Sequence, residues 1–246
     1  MQTSTVAKEG KNKEDGQSGS SLPEKLLEMG SDITLKARQH KLDPVIGREE
    51  EIQRVAPIIE KVKENFDIPV SLDTYKSKVA LAGIQAGADM INDIWGLLYD
   101  KDMAKVIASN KVACCLMHNR KEAGYRNFLR EVTEDLKKVL EIAKESGIRD
   151  ERIVLDPGVG FGKSYENNLE IIHHIGELKK LGYPILLGAS RKSVIGLTLK
   201  LPVEERLNGS LAISAYGTVN GCSFLRVHDI RQNKEVVKML EAIIHS

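Results

Sequence analysis

The stretch that decides the fold is "RIVLDPGVGFGKSYENNLEIIHHIGELKKLGYPILLGASRK", residues 152–192. It begins with a short apolar run, continues through a segment with apolar residues at helical spacing, and returns to a second apolar run that stops at polar residues. The helical segment ends near a glycine suited to a helix C-terminus. This order predicts a strand–helix–strand unit, in which a helix crosses over the sheet to join two parallel strands.

The same alternation runs along the chain from about residue 53 onward. Nearly continuous apolar strands separated by amphipathic helices predict an α/β fold with a parallel sheet buried on both faces, either doubly wound or closed as a barrel. Each apolar run stops at a polar residue, and barrel enzymes take their functional groups from the carboxyl ends of several strands, so the pattern favours a TIM-type (β/α)8 barrel. The six runs are "IPVSLD", "MIND", "VACCLMHN", "RIVLD", "YPILLGASRK" and "CSFLRVHD".

The loop "DPGVGFGK" looks like a P-loop at first sight, because Gly162, Lys163 and Ser164 follow one another at its end. A P-loop needs a glycine where this sequence has Pro157, which has no N–H group to offer a phosphate. The dinucleotide fingerprint also fails, because its third glycine would have to be Lys163. We therefore interpret the segment as a strand-end loop without a nucleotide.

Composition narrows the function classes. The 246 residues are enough for one large domain, and 36 Lys and Arg residues nearly balance 35 Asp and Glu residues. This balance gives no excess of positive charge of the kind that binds nucleic acid or an acidic membrane. No apolar run is long enough for a membrane span or a signal peptide, so we expect a cytoplasmic location. Cys114, Cys115 and Cys222 lie in apolar runs without metal-ligand spacing, which predicts buried thiols.

From about residue 53 to residue 246, the sequence resembles dihydropteroate synthase, a pterin-binding barrel enzyme of folate synthesis. The "GASRKS" and "RVHD" pair separates this resemblance from the methyltetrahydrofolate methyltransferases, which share the barrel. The resemblance implies a transferase that condenses 4-aminobenzoate with hydroxymethyl-dihydropterin diphosphate, giving dihydropteroate and pyrophosphate, with Mg²⁺ assisting the leaving group. The segments that carry it are "IPVSLDTYKSKVALAGIQAGADMINDIWG", "CLMHNRKEAGYRNF", "LDPGVGFGKSYENNLEII", "PILLGASRKSVIG", "ERLNGSLA" and "FLRVHDI".

The resemblance also implies which residues hold the pterin. Asp156 accepts paired N–H donors from the edge of the ring, a geometry that suits a carboxylate. Asn92 has both a donor and an acceptor, so it matches the mixed pattern elsewhere on the ring. Asp73 holds another ring nitrogen and stabilises positive charge that develops as pyrophosphate leaves.

Cationic residues are implied for the other side of the site. Arg226 and His228 alternate along a predicted strand, so we expect both to point to one face and to bind the diphosphate. Lys192 reaches the pterin carbonyl or the transferring centre, and Arg191 and Ser193 lie near the aromatic amine. Further substrate contacts are implied at Met117, Phe161 and Gly188, and the implied catalytic residues are Asp73, Lys192, Arg226 and His228.

Several of these residues have a second interpretation. Asp73 could cap the helix that begins near Lys76, which is a common role for aspartate. Asn92 and Asp93 could be turn residues. His118 could be a hydrogen-bonded structural histidine as readily as a ligand contact.

The N-terminal part departs from the family pattern. Two strand units with which the family's barrel begins are not recognisable, and one of them carries the family's asparagine ligand for magnesium. Residues 24–55 instead resemble the segment before the first ATPase module of Clp-type AAA+ unfoldases, with "DPVIGR" in common. We predict a disordered tail over residues 1–22, a helical Clp-like segment over residues 23–55, and an N-terminally incomplete pterin-binding barrel with about six βα units over residues 56–246.

Two alternatives to synthase activity stay open. One is a pterin-binding fragment with impaired catalysis, and the other is a nucleotide-binding or adaptor protein related to the Clp unfoldases. The expected partners are small-molecule substrates, without nucleic acid or membrane. The resemblance also implies a homodimer, because this family often forms dimers through helices of the barrel.

Overall fold

The computed structural model describes residues 48–246, so the predictions for residues 1–47 lie outside the described part of the chain. The first described helix, α1 (Arg48–Asn65), begins within the predicted helical segment of residues 23–55. It continues across the predicted domain boundary between residues 55 and 56. The division of the chain into three segments stays a prediction.

Strands and helices alternate along the described residues, and each of the six predicted strands is present there. Every strand is followed by at least one helix, as the strand–helix pattern predicts. After α1 the order is β1 (Ser71–Asp73), α2 (Ser77–Gln85), β2 (Met90–Asp93), α3 (Met103–Asn110), β3 (Ala113–Met117), α4 (Phe128–Glu145), β4 (Ile153–Asp156), α5 (Tyr165–His173), α6 (Ile175–Leu178), β5 (Leu186–Leu187), α7 (Ser193–Leu199), α8 (Leu207–Val219), β6 (Phe224–Leu225) and α9 (Ile230–Ile244).

All strand pairs are parallel and follow chain order. β1 to β4 form a four-stranded sheet, β5 and β6 form a pair, and a parallel bridge between Leu155 and Ile185 joins the two. The register places Asp73 beside Asn92. The carboxyl ends of neighbouring strands therefore lie at one edge, where the sequence predicts the functional residues.

The core lies between the sheet and the helices. The strands β2, β3 and β4 are buried on both faces, as expected for parallel strands covered by helices. Cys114 and Cys115 are buried, which confirms their predicted character, whereas Cys222 is only partly buried. Burial raises the pKa of the Cys114 thiol to about 12, so this thiol stays protonated at neutral pH.

Helix α4 shows how the helices cover the sheet. Its buried residues include Val132, Leu136 and Val139, which recur at helical spacing on one face. Its exposed face carries an ion pair between Arg130 and Glu134. None of the helices within residues 48–246 combines the length and the apolar character needed to cross a membrane.

Candidate active site

Residues from the first and the last described strands meet at the carboxyl edge of the sheet. Arg226 follows β6, and its Nη2 lies 3.4 Å from Oδ2 of Asp156 at the end of β4. Nη1 of Arg226 lies 4.0 Å from Oδ1 of Asp73 at the end of β1. The strand array therefore curls round a common centre, as a barrel wall does. We call this centre the mouth and define it by Asp73, Asn92, Asp156, Lys192 and Arg226.

Asp156 is the most enclosed charged group of the mouth, with 1% of its surface exposed. Its Oδ1 accepts a hydrogen bond from the N–H of Gly158 at 2.7 Å, and its Oδ2 faces Arg226. Burial raises the pKa of the carboxyl, while the charge of Arg226, the Gly158 N–H and the charge of Lys192 oppose that shift. A carboxylate with cations beside it is a strong acceptor for a pair of N–H donors.

Asn92 supplies an acceptor that has no partner among residues 48–246. It is 2% exposed, and its Nδ2 donates to Oδ1 of Asp73 at 2.6 Å. Its Oδ1 is buried and forms no hydrogen bond to any described residue. Leaving a buried polar atom unpaired costs free energy, so this oxygen is suited to accept a donor from a ligand. Asp73 is more open, with 65% of its side chain exposed.

The interpretation of Asp73 as a helix cap is wrong. The first N–H groups near the start of α2 are bound by Oγ1 of Thr74 at 3.2 Å and by Oδ2 of Asp100 at 2.8 Å. The turn interpretation holds for Asp93, whose carboxylate accepts from backbone N–H groups of the following turn. Both residues lie in β2, but only the Asp93 side chain binds the turn, since Asn92 donates to Asp73 instead.

The loop between β4 and α5 packs tightly against the segment that follows β3. Gly158, Gly160 and Gly162 all have positive φ, at 70°, 84° and 54°. A Cβ atom at Gly158 or Gly162 would overlap the backbone carbonyls of His118 and Arg120. Close backbone packing therefore explains Gly158 and Gly162 without a phosphate, in agreement with the predicted strand-end loop.

Lys192 lies over this loop. Its Nζ donates to the carbonyl oxygen of Val159 and lies 4.4 Å from the ring centroid of Phe161, which is a cation–π contact. Burial lowers the pKa of Lys192 to about 8, and the negative charge of Asp156 opposes that shift. The ammonium group is thus held between an aromatic ring and the carboxylate side of the mouth.

Arg226 and His228 follow β6, which ends at Leu225, and do not alternate along it. The prediction that strand alternation orients both side chains is therefore wrong. Arg226 faces Asp156, whereas Nδ1 of His228 lies 3.0 Å from Oγ of Ser190. Arg226 also crosses Gly188 so closely that a Cβ there would lie 2.9 Å from Nη2. Gly188 therefore makes room for the guanidinium group.

The other residues predicted to contact the substrates differ in their burial and in their hydrogen-bond partners. Met117 ends β3, is buried, and is paired in register with Asp156. The Arg191 guanidinium donates to both carboxylate oxygens of Asp229, at 3.1 and 2.6 Å. Ser193 is the first residue of α7 and is exposed. Their substrate contacts stay predictions.

Sequence analysis missed a buried chain of polar groups beside the mouth. Nζ of Lys163 lies 2.9 Å from Nδ1 of His118 and donates to the carbonyl of Phe161 at 3.0 Å. Nε2 of His118 lies 3.3 Å from Oδ2 of Asp135. Burial, followed by the charge of Lys163, lowers the pKa of His118 to about 3, and burial lowers the pKa of Lys163 to about 7. These contacts favour the structural interpretation of His118.

The described residues do not fit a magnesium site. Within residues 48–246, no group of three or more His, Cys, Asp and Glu side chains converges in a way that could hold a metal ion. The acidic groups of the mouth are already engaged, since Asp73 accepts from Asn92 and Asp156 faces Arg226.

Comparison with known proteins identifies relatives of this chain. The pterin binding enzyme family matches residues 5–228. A dihydropteroate synthase of Clostridium beijerinckii is 55% identical over 201 residues, which cover 81% of this chain and 75% of that protein. A dihydropteroate synthase of Bacillus subtilis is 42% identical over 200 residues, which cover 81% of this chain and 70% of that protein.

Solved structures give the same result. Dihydropteroate synthase of Clostridium difficile, solved in the presence of pteroic acid, superposes with a TM-score of 0.80 at 44% identity, covering 82% of this chain and 77% of that chain. The Xanthomonas albilineans enzyme with 4-aminobenzoic acid superposes with a TM-score of 0.79 at 35% identity, covering 82% and 74%. These matches confirm the resemblance and the barrel fold class. The chain therefore belongs to the pterin-binding enzyme family and, within it, to the dihydropteroate synthases, which are transferases of folate biosynthesis.

Proposed function

We propose that this chain condenses 4-aminobenzoate with hydroxymethyl-dihydropterin diphosphate. The amine nitrogen attacks the methylene carbon that carries the diphosphate. A C–N bond forms, the C–O bond breaks, pyrophosphate leaves with the bonding electrons, and the amine nitrogen loses one proton. The observation that carries this proposal is the buried Oδ1 of Asn92, which no residue in the described part of the chain binds, at a mouth that also contains the buried Asp156.

The pterin would bind on the carboxylate side of the mouth. Asp156 accepts two adjacent N–H donors of the ring, and Oδ1 of Asn92 gains the donor that it lacks. Asp73 already accepts from Asn92, so it fixes the orientation of that amide. The same carboxylate, which is exposed toward the mouth, would also stabilise positive charge at the methylene carbon as the C–O bond breaks. Met117, buried at the end of β3, is the proposed apolar contact for the ring.

The diphosphate would bind to the cations beyond β5 and β6. Arg226 can donate in a bidentate manner to a diphosphate while it stays close to Asp156, and His228 supplies a further donor. Gly188 leaves the space that the guanidinium occupies. Lys192 lies between the two sides, where its ammonium group can stabilise the negative charge that develops on the leaving oxygen. The aminobenzoate would lie beside Phe161, Arg191 and Ser193.

The test is turnover by the purified, folded full chain supplied with both substrates and a magnesium salt. We expect pyrophosphate and dihydropteroate to appear in equal amounts, and only when both substrates are present. Binding of the pterin diphosphate without pyrophosphate release would favour the pterin-binding fragment instead. Binding of ATP by a chain that does not bind the pterin would favour the Clp-related alternative.

We further propose that the chain forms a homodimer in the cytoplasm. Exposed apolar side chains on α8 and α9 support the dimer, because a large exposed apolar surface is typical of an interaction site. Size-exclusion chromatography with light scattering should give twice the mass of one chain. A monomer at micromolar concentration would contradict this proposal. These side chains are Tyr216, Val219, Ile230, Met239, Ile243 and Ile244.

A further inference from the structure

The motif "ERLNGSLA", residues 205–212, carries part of the family resemblance but has no role in the site described above. In the structure it leads into α8, which packs beside the turn of residues 189–192 that holds Arg191 and Lys192. We call these residues the Arg191 turn. The backbone N–H of Lys192 donates to the carbonyl of Ala189 at 3.2 Å and closes this turn.

Arg191 has an unfavourable backbone conformation. Its φ is +56°, in the left-handed region that residues with a Cβ seldom adopt. This conformation is unfavourable because it brings the Cβ atom too close to the following carbonyl oxygen. It persists only where the surrounding structure fixes it, and such residues are concentrated at functional sites.

Two residues of the motif bind the backbone of Arg191 on both sides. The N–H of Arg191 donates to Oγ of Ser210 at 2.9 Å, and Nη1 of Arg206 donates to the carbonyl of Arg191 at 3.0 Å. Oγ of Ser210 in turn donates to the carbonyl of Arg206 at 2.8 Å. Ser210 is 1% exposed, so these bonds are shielded from water. Both the N–H and the carbonyl of Arg191 are thus bound by side chains of the motif.

The close approach of α7 and α8 depends on glycines. A Cβ at Gly196 would overlap the guanidinium of Arg206, and a Cβ at Gly209 would overlap the side chain of Ile195. Nε of Arg206 also donates to the carbonyl of Leu201 at 3.1 Å, which fixes the guanidinium in place. The motif therefore supplies an arginine, a glycine and a serine that are all needed to hold the turn.

We propose that Ser210 and Arg206 are positioning residues for the aminobenzoate half of the site. By fixing the strained backbone of Arg191, they hold Lys192 over Phe161 and hold Ser193 at the start of α7. The identity of the substrate in this inference rests on the proposed function. The hydrogen bonds to Arg191 do not depend on it.

The first test separates the two substrates. Ser210→Ala and Arg206→Met should each raise the KM for 4-aminobenzoate by up to about ten-fold, the effect of losing one or two buried hydrogen bonds. The dissociation constant for the pterin diphosphate should change less than this KM, because Asp156, Asn92 and Arg226 lie on other strands or loops and only Lys192 serves both substrates. Ser214→Ala removes a buried hydroxyl one turn further along α8 and should change neither constant. Equal effects of Ser210→Ala on both substrates, or no effect of either variant, would overturn the inference.

The second test needs no turnover, so it decides the inference even where the proposed function fails. The pH dependence of Lys192 acylation, followed by peptide mass spectrometry, should have a midpoint near the pKa of about 8 that burial imposes. Ser210→Ala and Arg206→Met should move this midpoint toward the ordinary lysine value, because a relaxed turn returns the ammonium to water. Ser214→Ala should leave it unchanged. An unmoved midpoint in both variants would show that the motif only packs helices.

Discussion

The two sides of the mouth are held in place by different means. On the carboxylate side, Asp73, Asn92 and Asp156 are strand residues, and the register of the sheet sets their positions. On the cationic side, Lys192 and Arg226 lie beyond strands of only two residues and are placed by contacts between loops. The sheet therefore fixes the acceptors, while individual tertiary contacts fix the cations. Substitutions on the two sides should therefore have different effects on binding and on stability.

Asp156→Asn should have the largest effect. It removes the buried charge that Arg226 and Lys192 face and replaces one acceptor oxygen by a donor. We expect the dissociation constant for the pterin diphosphate to rise about 100-fold in a calorimetric titration, from the loss of charged hydrogen bonds.

The matched control is Asp93→Asn, which changes an equally buried carboxyl whose hydrogen bonds serve a turn. It should lower the melting temperature and leave pterin affinity nearly unchanged. A similar loss of affinity in both variants would mean that pterin affinity follows the stability of the fold and does not depend on the Asp156 carboxylate itself.

His118 should make the free energy of unfolding depend on pH in the acidic range. The pKa of its imidazole is about 3 in the fold and about 6.5 ordinarily, so the unfolded chain binds a proton that the native chain does not. The free energy of unfolding therefore falls as pH drops from about 6.5 toward 3, by roughly 2–3 kcal/mol between pH 6 and pH 4. Urea unfolding of the wild type and of His118→Asn measures this difference.

The contrast with another histidine gives the control. His118→Asn should have a flatter dependence of stability on pH, whatever its absolute stability. His245→Asn changes an exposed residue, and its free energy of unfolding should change with pH in the same way as that of the wild type. Parallel curves for all three proteins would contradict the buried neutral imidazole between Lys163 and Asp135.

Gly188→Ala tests the cationic side. The new Cβ would lie 2.9 Å from Nη2 of Arg226, so the guanidinium must move away from Asp156. We expect the affinity for free pyrophosphate to fall about ten-fold, with a small change in melting temperature. Gly124→Ala adds the same methyl group where no atom of the described residues lies within 4 Å, and it should bind pyrophosphate normally. Unchanged binding in Gly188→Ala would remove Arg226 from the anion site.

Phe161→Leu should have the smallest effect. It removes the ring under the Lys192 ammonium, a contact worth about 0.5–1 kcal/mol. The KM for 4-aminobenzoate should therefore rise roughly two- to five-fold, measured at saturating pterin diphosphate. Phe224→Leu, on the exposed strand β6, should leave the KM unchanged. A larger effect on the pterin than on the aminobenzoate would place Phe161 on the other side of the mouth.

The sequence allowed the carboxylate side to be predicted because its signals are local. An apolar run that stops at a polar residue identifies a strand end, and parallel strands bring such ends to one edge. This reasoning located Asp73, Asn92 and Asp156 correctly at the ends of β1, β2 and β4. It also identified "DPGVGFGK" as a strand-end loop, because Pro157 cannot serve a phosphate.

The cationic side could not be predicted in the same way. The predicted orientation of Arg226 and His228 depends on strand periodicity, but β6 ends before both residues. Their partners come from other segments of the chain. The left-handed conformation of Arg191 has no local signal, since neither glycine nor asparagine occupies that position. Asp135, Lys163 and His118 lie on different segments of the chain, and only the fold brings them together.

The most direct test of the central claim is a calorimetric titration of the folded full chain with hydroxymethyl-dihydropterin diphosphate. The wild type should bind one molecule per chain, and Asn92→Leu, which removes the buried unpaired acceptor and the donor to Asp73, should bind much more weakly. A folded wild-type chain that gives no heat of binding, or an Asn92→Leu variant that binds as tightly as the wild type, would contradict the assignment of the mouth as a pterin site.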